Sequence, residues 1–154
     1  MEFFQYLAPT KVIFGRGTEA RTGALCKEAG ATKVLIHYGG HSAKKSGLID
    51  RICASLQAEG ISYTELGGVV PNPRLSKVYE GIELGRKEKI DFILAVGGGS
   101  VIDSAKAIGY GLTNEGDVWD YYTGKAPQTC MPIGAVLTLS LIHISEPTRR
   151  SYIS

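Results

Sequence analysis

The sequence is poor in most of the features that assign a protein at sight. No apolar run approaches the roughly 18 residues of a membrane helix. The opening Met1-Glu2-Phe3-Phe4 carries no basic stretch ahead of an apolar one, so neither a membrane partner nor a secretory leader is expected. Charge of one sign is missing too: 17 Lys and Arg stand against 15 Asp and Glu, for a formal net charge of +2. The basic residues are spread rather than striped, which argues against nucleic acid as a partner. Cysteine is scarce, at three residues, and Cys26, Cys53 and Cys130 lie far apart with no Cys-x-x-Cys pair. That excludes a disulfide framework and fits free thiols in a reducing cytoplasm. Histidine is equally scarce. His37 and His41 are separated by a Tyr-Gly-Gly stretch with no third ligand or carboxylate evident, so no metal site is expected in this chain.

Glycine, by contrast, is abundant at 20 of 154 residues. The most informative run is Ile93-Leu94-Ala95-Val96-Gly97-Gly98-Gly99-Ser100-Val101-Ile102-Asp103. It reads as a short buried strand, a glycine turn and the start of a helix. Backbone N–H groups at a helix N-terminus favour an anion, and three consecutive glycines let it approach the main chain. Ser100 is expected either to cap the helix or to donate to a phosphate oxygen. The common dinucleotide fingerprint needs a glycine where Ile102 stands, and the ATP-type loop needs a Gly-Lys-Ser/Thr ending that is absent. A tight turn whose glycines serve packing alone is the competing explanation. Asp103 is expected in the first helical turn, either as an acid favoured by the dipole and paired with Lys106 or as a residue shaping the loop.

Strands are predicted at residues 11–15, 33–37, 61–66, 91–96 and 132–139. Helices are predicted from Thr18 to about Ala29, across Leu48–Leu56, after an Asn72 cap with Pro73 in the first turn, and from Ser100 to about Tyr110. Alternating strands and helices imply an α/β fold, a Rossmann-like parallel sheet with helices on both faces. Ligands then bind beyond the carboxyl ends of the strands, where residues 38–42, 67–72 and 97–100 converge.

These segments resemble the N-terminal part of the iron-containing alcohol dehydrogenase family, in its butanol-dehydrogenase-like branch. The matching motifs are Pro9-Thr10-Lys11-Val12-Ile13-Phe14-Gly15, Tyr38-Gly39-Gly40-His41-Ser42 with Lys44-Lys45-Ser46-Gly47, Pro71-Asn72-Pro73, Gly97 to Asp103 with Lys106, and Gly116-Asp117-Val118-Trp119. The resemblance implies a dinucleotide-binding α/β domain over residues 1–139, the N-terminal domain of the dehydroquinate-synthase-like fold. The family's helical C-terminal domain, which holds its metal ligands, is absent from the sequence. It further implies NADP(H) or NAD(H), with Gly97, Gly98, Gly99 and Ser100 at the pyrophosphate, Asp103 beside them, Asn72 lining the cleft and Thr138 near the nicotinamide. Family members that prefer NAD commonly carry an Asp at the position of Gly39. Without that charge, Gly40, Ser42, Lys44 and Lys45 can receive a 2′-phosphate, which favours NADP(H). His41 departs from the branch, which usually has a glycine there.

The parent enzyme implied is a homodimeric oxidoreductase of small alcohols and aldehydes that uses iron or another divalent metal. No catalytic residue falls within this chain, which is expected to be inactive alone. A glycerol-dehydrogenase-like relative and a non-catalytic nucleotide-binding module are the alternatives. From about Leu139 the residues depart from the family, and Leu139–Arg149 resembles translated sequencing adapter. Residues 140–154 are therefore expected to be a non-native tail, the alternative being a genuine terminus.

Overall fold

In the computed structural model the described residues are 10–13, 18–40, 47–69, 75–114, 117 and 131–137. The predicted positions Ser42, Asn72 and Thr138, together with His41, Lys44, Lys45, Cys130 and the tail, lie outside them. Five strands, β1 (Thr10–Ile13), β2 (Lys33–Tyr38), β3 (Ser62–Leu66), β4 (Phe92–Gly97) and β5 (Ile133–Leu137), form one sheet in the order β1-β5-β4-β2-β3. Every pairing is parallel. The helices are α1 (Thr22–Glu28), α2 (Leu48–Ala58), α3 (Leu75–Glu88) and α4 (Gly99–Thr113). The predicted helix from Thr18 divides into a 3₁₀ turn, Thr18–Arg21, and then α1.

A parallel sheet covered on both faces needs near-continuous apolar strands, and β2 and β4 supply them. Val34, Ile36, Phe92, Leu94 and Val96 face one way and pack with Cys26 of α1 and with Ile49, Ile52 and Leu56 of α2. Leu35, Ile93, Ala95, Ile133 and Ala135 face the other way, against Val78 and Ile82 of α3 and Val101, Ala105 and Ile108 of α4. Cys26 and Cys53 are both buried, and the Cys53 thiol donates to Glu65 Oε2 at 3.7 Å. Tyr79 is 41% exposed, and its hydroxyl donates to Asp117 Oδ1 at 2.5 Å. A phenol can lie along a surface when its oxygen finds a partner there.

Helices approach most closely where side chains are missing. A Cβ on Gly23 of α1 would stand 2.0 Å from the Ser55 carbonyl oxygen of α2, and one on Gly81 of α3 would stand 2.3 Å from Ile108 Cδ1 of α4. At the amino ends of β2 and β4, Asp91 accepts from the Thr32 and Lys33 amides at 3.0 Å each and from the Thr32 hydroxyl. Burial raises the affinity of this carboxyl for a proton, but the bonds from the Thr32 hydroxyl and the two amides outweigh it and leave its pKa lowered.

The order of strands determines where a cleft opens. From β2 the chain passes through α2 to β3 on one side, while from β4 it leaves through α4 toward β5 on the other. The carboxyl ends of β2 and β4 are neighbours, with Tyr38 opposite Val96. Connections diverging from adjacent strands leave a crevice between them.

Candidate functional site

Two glycine segments border this crevice. Gly97, the last residue of β4, has φ +144°, a conformation that side chains rarely adopt. A Cβ there would also come within 2.9 Å of Val101 Cγ2. Gly98 is extended and forms the N-cap of α4, and its carbonyl accepts from the Val101 and Ile102 amides at 3.1 Å. Ser100 is therefore not the cap: it lies inside the first turn, and no side chain caps this helix. The amides of Gly99 and Ser100, ahead of the first helical bonds, have no helical carbonyl behind them to bond. Among the described residues nothing stands within 4 Å of the places where Cβ atoms on Gly98 and Gly99 would lie. Bare amides, a helix dipole and open space together make an anion cradle.

The second segment follows β2. Gly39 is half-buried and Gly40 exposed, with no described residue within 4 Å of where a Gly40 side chain would start. A Cβ on Gly39 would lie 3.7 Å from Val101 Cγ2, the same methyl that crowds Gly97. The Val101 methyl is thus near both segments, although the nearest atom to a Gly39 Cβ would be the Val69 carbonyl oxygen, at 3.3 Å. The loop after β3 joins them: the Gly68 amide donates to the Gly39 carbonyl at 2.9 Å, and the Val69 amide to the Tyr38 carbonyl at 3.2 Å. Sequence reasoning expected these three loops to converge, and their described residues do. Asp103 lies beyond the first turn, which contains no acid, and is exposed. The dipole argument for it weakens accordingly, since that effect fades past the first turn.

Behind the cradle is a feature the sequence reading missed. His37 is fully buried, with Nδ1 2.9 Å from the Leu66 carbonyl oxygen and Nε2 2.8 Å from Ser104 Oγ. A carbonyl only accepts, so Nδ1 carries the hydrogen and the Ser104 hydroxyl donates to Nε2. Burial holds the ring's pKa well below its ordinary value, at about 4; the bond to Leu66 and nearby Glu80 raise it, and Lys77 lowers it. The available signal was a histidine inside an otherwise apolar strand. Among the described residues no cluster of three His, Cys, Asp or Glu is placed to hold a metal ion. No helix among them is long and apolar enough to cross a membrane.

A family model described as iron-containing alcohol dehydrogenase matches residues 9–141. Among curated proteins, the chain is 48% identical over 141 residues to a probable NADH-dependent butanol dehydrogenase of Bacillus subtilis, covering 91% of this chain and 36% of that protein. It is 36% identical over 143 residues to an NADPH-dependent aldehyde reductase of Escherichia coli, covering 90% and 36%. Among solved structures, NADH-dependent butanol dehydrogenase A from Thermotoga maritima superposes with a TM-score of 0.80 at 50% identity, over 90% of this chain and 35% of that one. The chain thus spans about a third of the length of the relatives it matches.

Proposed function

The chain belongs to the iron-containing alcohol dehydrogenase family, and on that premise we propose that residues 1–139 form the dinucleotide-binding part of an oxidoreductase interconverting primary alcohols and aldehydes. The observation that carries this reading is the pair of glycine segments at the switch point, in front of a helix that has no side-chain cap. The amides of Gly99 and Ser100 receive the pyrophosphate, and the Ser100 hydroxyl is available as a further donor. Gly97, Gly98, Gly39 and Gly40 keep side chains out of its path. On the family resemblance, Asn72, Ser42 and Thr138 are assigned to the same cofactor, as is Asp103. The bound nicotinamide supplies the hydride chemistry.

Relatives' names divide over the cofactor, two of the three above carrying NADH and one NADPH. Gly39 decides the proposal for this chain. A carboxylate at the end of β2 would accept from a ribose 2′-hydroxyl and repel a 2′-phosphate, and glycine does neither. The dinucleotide is accordingly NADP(H) in preference to NAD(H). A divalent metal polarising the alcohol oxygen belongs to the parent enzyme. The family resemblance assigns that metal's ligands to a helical domain of the parent enzyme, and on that reading the 154-residue chain binds dinucleotide without turning over alcohol.

Calorimetric titration with NADP⁺ and NAD⁺, beside an assay for alcohol-dependent NADPH formation, tests this. Saturable binding, tighter for NADP⁺, with no turnover is expected. Absence of binding by either dinucleotide overturns the reading, and turnover by the purified chain overturns the assignment of metal and substrate pocket to other residues.

A further inference from the structure

His37 and Ser104 stand out from the layer that contains them. The buried side chains of β2, β4, β5, α3 and α4 around them are otherwise aliphatic. An apolar pair of similar volume would close this layer with no polar group to desolvate. What a bonded pair adds is direction: two short bonds fix where three elements sit relative to one another. The ring is rooted in β2, one bond reaches the last residue of β3, and the other reaches α4.

The places it reaches matter. Ser104 is four residues after Ser100, on the same side of α4 and one turn behind the anion cradle. Leu66 immediately precedes Gly67, Gly68 and Val69, the loop bonded to the Tyr38 and Gly39 carbonyls. We propose that His37 is a positioning residue for the dinucleotide, holding the first turns of α4 and the loop after β3 in fixed relation to the Gly39–Gly40 segment. This rests on the dinucleotide reading above. His37 touches neither the phosphates nor the nicotinamide; it acts through Ser104 and Leu66. The neutral ring, donor at one nitrogen and acceptor at the other, is the form that makes both bonds, and burial keeps it neutral near pH 7.

Ser104→Ala removes one hydroxyl and places the best helix former in α4. Two measurements on the full 154-residue chain decide the matter: amide hydrogen exchange without ligand, and the Kd for NADP⁺. Exchange over residues 98–104 and 67–69 should accelerate by about tenfold while the strand amides stay protected, and the Kd should rise by about tenfold; the melting temperature falls in either case, because the buried His37 Nε2 loses its donor, and so does not discriminate. A purely structural role lowers the melting temperature but leaves the Kd for NADP⁺ unchanged, and an unchanged Kd overturns the inference whatever the melting temperature does. Unchanged exchange also overturns it. His37→Asn, too short to span both partners, should reproduce the effect; if it does not fold, Ser104→Ala alone decides. If the unaltered chain binds no dinucleotide, the functional reading fails and the positioning role fails with it. Equal binding by the unaltered chain and the variant defeats the positioning role alone.

Discussion

At the residue scale, the protonation of His37 ties the interior to pH. Its folded pKa of about 4 lies below the ordinary 6.5 of an unfolded chain, so between these values the unfolded state binds the extra proton. The contribution of His37 is complete above pH 6.5 and is lost as the pH falls toward 4. A difference of this size amounts to about 3 kcal/mol in total. Urea denaturation between pH 8 and pH 4 should therefore show a falling midpoint, and the fall should shrink in His37→Asn. Gly97 is the other residue where local geometry decides. Gly97→Ala puts a side chain at φ +144° and within 2.9 Å of Val101 Cγ2, and should cost about 1–3 kcal/mol on chemical denaturation as well as weakening NADP⁺. Gly39→Asp adds charge where none stands, and titration should show NADP⁺ weakened by about tenfold, or about 1.4 kcal/mol, and NAD⁺ much less.

At the element scale, helix-to-helix distances depend on two glycines of different character. The missing Cβ of Gly23 would meet a backbone oxygen, and that of Gly81 the mobile end of an isoleucine. Gly23→Ala must separate α1 from α2, whereas Gly81→Ala asks only for a shift of Ile108. The first should cost more than the second, by about 1 kcal/mol or more on thermal denaturation. Most elements were legible in the sequence because their cause is local. The apolar run from Ile93 to Val96 admits only a strand buried on both faces, and Leu48, Ile49, Ile52, Cys53 and Leu56 recur at helical spacing. Boundaries were less legible: α4 starts at Gly99 because Gly98 itself becomes the cap, and the segment from Thr18 opens as a 3₁₀ turn. Tyr79 fits the helical period but lies on the surface, because its partner Asp117 comes from beyond α4.

At the scale of the whole molecule, the strand–glycine–helix turn could be read from Ile93 to Ser100, since an apolar run followed by consecutive glycines ends a strand and opens a helix. The bond from His37 to Ser104 could not, because it spans 67 positions and depends on which strands are neighbours. The parallel order β1-β5-β4-β2-β3 has a further consequence, in time rather than in space. β1 pairs only with β5, Thr10 opposite Ile133. On a ribosome adding 5–20 residues each second, the first strand waits on the order of ten seconds for β5, its one partner among the described residues, to be made. During that interval β2, β3 and β4 can already assemble around α2 and α3, while β1 offers its unpaired backbone to any passing edge. Nascent chains halted before β5 emerges should accordingly bind chaperones through their first residues, and release them once β5 closes the sheet.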